Sequence, residues 1–149
     1  MFTTAEANAI LTERFRDTNR DVYIGFSSTT PTETDGTLTN FTEPVIGNAT
    51  GYFRGELYTD NKKVLEAPSN RQLQNNDVCV ISLLRQNLGT MTHFGLFRSG
   101  STPTPFFYGP LTQSVEFVKD HIPVVDIGGF VVGLDKAQLD EAKTWEDYL

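Results

Sequence analysis

Histidine and cysteine, the side chains most often used in catalysis and zinc binding, are few in this sequence: His93, His121 and Cys79. None of them forms a Cys-x-x-Cys, His-x-x-x-His or His-Glu-x-x-His pattern, so the sequence predicts no metal site. His93 falls in a strand-like run, where a packed, hydrogen-bonded histidine is more common than a catalytic one. His121 follows a Lys-Asp pair in a predicted turn and is expected to be solvated.

Cys79 lies in the apolar run at residues 78–81. A single cysteine cannot form a disulfide within the chain, and no histidine adjoins it in sequence to activate the thiol. We therefore interpret Cys79 as a small buried hydrophobic residue in a strand.

Carboxylates are numerous, and a pair of them could in principle act as the acid and base of a glycosidase. Most, however, fall in predicted turns or in the last fifteen residues, where acids usually cap turns or face solvent. The sequence also lacks Gly-x-Ser-x-Gly and a Gly-rich loop before a helix. It therefore predicts no catalytic residue, no cofactor and no metal, and we expect the protein not to be an enzyme.

Composition and charge restrict the partners. The chain has 149 residues, the size of one domain, and a net charge of −7. Its twelve basic residues are scattered, which argues against binding nucleic-acid phosphates. No apolar window is long enough for membrane insertion, and the first residues do not resemble a signal peptide. We therefore expect the chain to be made and kept in a cytosol.

The pattern of apolar residues predicts one short helix followed by many short strands. Thr3 or Thr4 is a suitable N-cap, and the helix should end between residues 16 and 19. The first strand is predicted at residues 22–26, where Gly25 suggests close approach of a backbone or an aromatic ring. Residues 27–51 have few apolar side chains and predict a long surface loop or loosely paired edge strands. Further strands are predicted at residues 52–58, 64–67, 78–84, 90–97, 106–108, 115–118, 122–125 and 130–134.

These elements predict an all-β fold, an antiparallel β-sandwich with a jelly roll as one candidate form. Residues 1–135 form this single domain, and residues 136–149 form a C-terminal helical docking tail. In the tail, Leu139, Ala142, Trp145 and Leu149 can share one helical face. The same face could instead pack on the chain's own sandwich.

Exposed aromatic residues are the main indication of a binding surface. Tyr52 and Tyr58 are expected to share a strand face with Arg54, a combination suited to stacking on a sugar or to a protein interface. In the run at residues 106–108, the middle ring, Phe107, should point away from the core toward a second sheet or a neighbouring subunit. The candidate interface comprises Tyr52, Arg54, Tyr58, Phe107, Trp145, Tyr148 and Leu149.

The order of several motifs resembles a family of small bacteriophage virion proteins, usually described as tail fibre proteins. In the first half, the similar parts are an opening helix at residues 3–11 and a Gly-containing strand with a Thr-x-Pro turn at residues 23–31. An acid at Glu43 and a Gly-Tyr-x-Arg strand at residues 51–54 follow.

The second half is similar over three segments: Gly-Thr-x-Thr-His-Phe at residues 89–94, aromatic-Gly-x-Leu-Thr at residues 108–112, and a closing strand that ends in Leu-Asp at residues 134–135. The resemblance implies a structural component of the virion, in the tail, a tail fibre or another appendage. Other virion proteins would be its partners, and a homo-oligomer is expected. Two alternatives stay open, a carbohydrate-binding module for a host-surface glycan and a capsid decoration protein.

Overall fold

A computed structural model describes residues 2–134, and in this range the chain forms one helix and ten strands. Helix α1 spans Thr4–Phe15, and the Thr3 hydroxyl caps it by accepting a hydrogen bond from the Glu6 amide (3.2 Å). Ala7, Leu11 and Phe15 form its buried face. The helix ends at Arg16, whose amide donates to the Thr12 carbonyl, so the predicted cap and end are confirmed.

The strands are short, and every pairing between them is antiparallel. They are β1 (Val22–Ser27), β2 (Thr32–Thr34), β3 (Thr37–Thr39), β4 (Gly55–Tyr58), β5 (Gln72–Gln74), β6 (Cys79–Val80), β7 (Gly89–Phe97), β8 (Phe107–Phe117), β9 (Val124–Val125) and β10 (Val131–Gly133). The all-β class with a short N-terminal helix is confirmed. The sandwich arrangement stays a prediction.

The main sheet has four strands in the order β4-β1-β7-β8. In its centre Gly25 of β1 pairs with Gly95 of β7. The missing side chains leave room for rings, because a Cβ on Gly95 would lie 2.8 Å from the ring of Phe41 and one on Gly25 would lie 3.0 Å from the ring of Phe97. The close approach predicted at Gly25 is therefore confirmed.

A large bulge interrupts the pairing of β7 with β8. Met91 pairs with Val115 and His93 pairs with Pro110, so one residue of β7 faces the four residues 111–114 of β8. The bulge bends β8 away from a regular ladder. Beyond β8 the main sheet has no further strand among residues 2–134.

The core lies between α1, the main sheet and the short β5–β10 pair. Aromatic residues supply much of it, in contacts such as Phe26 on Phe117 (5.3 Å between ring centroids) and Phe94 on Phe130 (5.9 Å). The buried aromatic side chains are Phe15, Phe26, Tyr52, Tyr58, Phe97, Phe117 and Phe130. These large rings supply much of the apolar area that the core removes from water.

Two strand predictions are only partly correct. The predicted strand at residues 78–84 is regular only at Cys79–Val80, and that at residues 122–125 only at Val124–Val125. The predicted strand at residues 115–118 is the end of β8 and continues the β7–β8 ladder, whereas Val124–Val125 pairs with β6. Backbone bonds from Ile81 to Pro123 and from Leu84 to His121 then continue the contact without a regular strand.

The predictions for two other segments, residues 64–67 and residues 27–51, are closer to the observed structure. Residues 64–67 make one isolated bridge, Leu65 with Asn75, in place of a strand. In the predicted loop at residues 27–51, the hairpin β2–β3 is the paired part, and the remainder is irregular.

Candidate functional site

A buried ion pair joins Glu43, in the loop after β3, to Arg54, which directly precedes β4. Arg54 donates from Nε to Glu43 Oε2 (2.9 Å) and from Nη2 to Glu43 Oε1 (2.7 Å). The Arg54 side chain is 3% exposed and that of Glu43 is 13% exposed. The Tyr52 hydroxyl donates a third bond to Glu43 Oε2 (2.7 Å). These bonds offset the cost of removing the charges from water.

The same arginine connects three parts of the domain. Its guanidinium lies 3.3 Å from the ring centroid of Phe97 at the end of β7, and Nη1 donates to the Ser99 carbonyl (3.0 Å). Gly25 of β1 lies against the carboxylate, and a Cβ there would collide with Glu43 Oε2. The network of Glu43, Tyr52 and Arg54 therefore fixes two loops on the main sheet.

Tyr52 acts in this network as a hydrogen-bond donor. Burial raises the pKa of its phenol, and the negative charge of Glu43 raises it further. The phenol therefore stays protonated, donates to Glu43 and accepts a hydrogen bond from the Phe26 amide (3.0 Å). Each polar group of the network has a structural partner, an arrangement typical of a satisfied buried network.

The other groups with possible reactivity are also held structurally. Burial raises the pKa of the Cys79 thiol to about 11, so the thiol is protonated at neutral pH and it donates to the Glu56 carbonyl (3.5 Å). His93 is half-buried with Nδ1 2.8 Å from Thr92 Oγ1, and His121 is exposed.

Two negative findings apply to residues 2–134. In this range there is no group of at least three His, Cys, Asp or Glu side chains that could together hold a metal ion. No helix of the same range has the length and apolar character needed to cross a membrane.

The surface carries a cleft of about 950 Å³ between α1, the start of β8 and β10, which we call the arginine cleft. Arg14, Arg20 and Arg98 line it. Arg98 lies with its guanidinium 3.6 Å from the ring centroid of Phe106, and its Nη1 donates to the Arg14 carbonyl at the end of α1 (2.9 Å). Partial burial lowers the pKa of Arg98, and the charges of Arg20 and Arg14 lower it further. The three cations are therefore near enough to repel one another.

A second cleft, of about 690 Å³, lies between β8, β9 and β10. We call it the valine cleft, after the exposed side chains Val115, Val124 and Val131 that line it. Asp126 is the charged residue in its wall, and the neighbouring Ile127 is exposed as well. An exposed apolar surface of this kind is typical of a protein contact.

One comparison with known proteins decides the family. Residues 1–133 match the family described as podophage GP4 fiber I protein gp80. The chain belongs to this phage fibre family. The resemblance to small virion proteins of the tail fibre type is therefore confirmed. No curated protein matches the chain.

In this phage fibre protein, the motifs that resembled the family have a structural role. Glu43, Gly51, Tyr52 and Arg54 come from the predicted acid and Gly-Tyr-x-Arg motifs, and three of the four form the buried ion-pair network. Gly51 adopts a positive φ of 75°, and a Cβ there would collide with the Leu83 carbonyl. The motifs therefore mark positions that the fold requires.

The expectation that Tyr52, Arg54 and Tyr58 are exposed on one strand face is wrong. All three are buried. The strand begins only at Gly55, and Leu57 and Tyr58 are both buried because both faces of β4 are covered. The Arg16 guanidinium lies over the Tyr58 ring, with its Cζ atom 5.4 Å from the ring centroid. These residues do not offer a sugar-stacking surface in the described fold.

The expected direction of Phe107 is also wrong. Phe107 points inward, with its ring 5.7 Å from Phe15 and 6.2 Å from Phe94, whereas Phe106 and Tyr108 are 38% and 36% exposed. Alternation along the strand was predicted, but the sequence could not show which face meets α1.

The remaining predicted contacts, Trp145, Tyr148 and Leu149, lie outside the described residues. The arginine cleft itself was not predicted, because Arg14 and Arg98 are 84 residues apart in sequence. The basic residues therefore appeared scattered. The valine cleft was missed for a similar reason, since β9 and β10 pair with β6 and β5, which lie far from them in sequence.

Proposed function

We propose that this protein is a structural component of a bacteriophage virion, a tail, tail-fibre or appendage protein that assembles with other virion proteins. The observation that carries this proposal is the family match over residues 1–133. The protein would be synthesised in the host cytoplasm and then incorporated into the particle. Residues 1–135 would form the sandwich domain, and residues 136–149 a helical tail that docks on another subunit.

The described geometry supports a non-enzymatic role. The buried carboxylate Glu43 is engaged by Arg54 and Tyr52, and the thiol of Cys79 is buried and protonated. A catalytic acid, base or nucleophile must instead be free to reach a substrate.

We also propose that copies of the chain associate, as a trimer or a closed ring. The valine cleft supports this proposal, because its exposed apolar side chains stand on a protein of net charge −7. Like-charged copies approach most easily through a surface that carries little charge.

Location in the particle tests these proposals directly. An antibody or gold label on the protein in purified phage should mark the tail or its fibres, and a particle map should show several copies around a symmetry axis. Labelling of the capsid surface would favour the alternative of a decoration protein. A single, asymmetrically bound copy would exclude the trimer and the ring.

A carbohydrate-binding module for a host-surface glycan is the second candidate. Tyr52 and Tyr58 do not support it because they are buried. Phe106 and Tyr108, the residues before and after Phe107, are exposed, and the Phe106 ring lies against Arg98. Aromatic rings exposed in this way can stack on sugars. Loss of binding to host cells in a Phe106→Ala/Tyr108→Ala variant that still enters particles would favour this candidate.

A further inference from the structure

The arginine cleft combines positive charge with an apolar floor. Among residues 2–134, neither Arg14 nor Arg98 takes part in a salt bridge, whereas Arg20 has Asp17 at 4.0 Å. Asp21 and Asp60 also line the cleft, so the lining contains three arginines and two aspartates. The floor contains Phe15 and Phe107, and Phe106 is exposed at the side. A ligand for this surface should carry both carboxylates and apolar groups.

Residues 135–149 have this chemistry. The segment contains five carboxylates and two lysines, a net charge of −3. It also carries Trp145, Tyr148 and Leu149, and as a helix it would be about 22 Å long. Aromatic side chains could rest on the apolar floor while Glu146 and Asp147 pair with arginines at the rim.

We propose that the arginine cleft binds residues 135–149 of a neighbouring copy of the chain. This inference rests on the proposed function, in which copies assemble in the virion. It adds a second contact between copies, at the arginine cleft, to the one proposed at the valine cleft. The mode of binding is that of an amphipathic helix in a groove.

The position of Leu134 favours the segment of a neighbour over the chain's own. Val132, Gly133 and Leu134 line the arginine cleft, and the Leu134 amide is held by the Arg71 carbonyl (2.9 Å). The described residues therefore end in the wall of the cleft, and the chain's own segment would have to turn back from this wall to cover it. Residues 135–149 contain no Gly or Pro, and of the residues that favour a reversal of the chain they contain only aspartate, at positions 135, 140 and 147. A segment that arrives from another copy needs no such reversal.

Disulfide trapping in the full-length protein tests the proposal. Thr18 is exposed and lines the arginine cleft, and Thr144 precedes Trp145. The double variant Thr18→Cys/Thr144→Cys should form disulfide-linked dimers and larger species on mild oxidation, in concentrated protein and in phage particles. The native Cys79 is buried and should not react.

Two further variants make the result specific. Thr37 is an exposed threonine of the β2–β3 hairpin that lines neither cleft, so Thr37→Cys/Thr144→Cys is a matched control with an expected yield about tenfold lower. Arg14→Glu in the first variant should also lower the yield about tenfold by placing like charges together, and Glu146→Lys should restore it. Arg14 is exposed, so its replacement should leave the fold intact.

The outcomes separate this inference from the proposed function. Disulfides between chains support the inference. A disulfide within one chain would show that the segment occupies its own cleft, and no disulfide in either preparation would show that it does not bind there; both overturn the inference. If the chains cross-link but the protein is absent from purified particles, the proposed virion role fails while the docking mode stands.

Discussion

Glu43 and Arg54, eleven residues apart in sequence, meet through two short hydrogen bonds beneath the surface of the domain. Arg54 also reaches the Ser99 carbonyl, so the pair links the loop that follows β3 to the loop that follows β7. We infer that this ion pair is a principal determinant of the domain's stability.

Glu43→Gln should therefore lower the free energy of unfolding by about 3–5 kcal/mol, because it leaves the Arg54 guanidinium buried without its charge partner. Urea unfolding at neutral pH measures the change. Asp17→Asn, which breaks the exposed pair with Arg20, is the control and should cost less than about 1 kcal/mol. Equal effects of the two substitutions would contradict the role assigned to the buried pair.

Gly25→Ala should destabilise the domain by about 1–3 kcal/mol, because the added methyl group collides with Glu43 Oε2 and lies 3.0 Å from the Phe97 ring. Gly100→Ala is the matched control, since a Cβ at Gly100 meets no atom within 4 Å among the described residues. Thermal melts of both variants give the comparison. A Gly25→Ala protein as stable as the control would mean that the packing around β1 is looser than described.

Stability should fall in alkaline solution. Burial raises the pKa of the Cys79 thiol to about 11, and it also raises that of the Tyr52 phenol. Both groups hold their protons more tightly in the folded chain, so their contribution to stability is complete below the pKa of the unfolded chain and is lost as pH rises. For Cys79, the loss should extend from about pH 8.5, the ordinary pKa of a cysteine, to about pH 11.

Urea midpoints between pH 7 and 11 test this dependence. Cys79→Ala should be less stable at neutral pH and should lose less stability between pH 9 and 11, since Tyr52 alone then contributes among these two groups. Parallel curves for the variant and the natural protein would show that the thiol does not titrate differently in the folded state.

Truncation after Lys136 should leave a domain that melts cooperatively, because residues 2–134 contain a core of their own, built from α1, the main sheet and the β5–β10 pair. The same truncation should reduce incorporation into phage particles, measured by quantitative blotting against the natural protein. If the truncated domain loses its cooperative melt, residues 137–149 belong to its own core and the proposed docking tail is wrong.

His93→Gln should affect folding at most, because the ring is half-buried and pairs with the neighbouring Thr92 hydroxyl. Purified protein incubated with host polysaccharide or peptidoglycan should release no fragments. The non-enzymatic role would be contradicted if the natural protein released such fragments and the His93→Gln variant, with the same melting temperature, did not.

Elements specified by local signals were predicted well. The Thr3 cap and the spacing of Ala7, Leu11 and Phe15 identified α1, and the close approach at Gly25 followed from a glycine within an apolar strand. Pairings that depend on distant partners were not predicted. Cys79 of β6 pairs with Val125 of β9, 46 positions later, and nothing in either sequence segment specifies that partner.

The candidate site was predicted less well than the fold. Tyr52, Arg54 and Tyr58 were chosen because they are aromatic or charged at alternate positions, but a buried network uses the same residue types. Burial of Arg54 depends on Glu43, Phe97 and Ser99, which lie far apart in sequence. The family signature was visible, while its structural meaning required the fold.

The irregularity of β8 restricts how copies of this protein can meet. The outer edge of a sheet is normally a template on which another chain can add a strand, which leads to uncontrolled aggregation. Here Pro110 lacks an amide proton, and residues 111–114 bulge away from the ladder. Continuous edge-to-edge pairing along β8 is therefore blocked. At this edge of the main sheet, copies of the chain can meet only through side-chain surfaces, and the sheet does not grow by strand addition along β8.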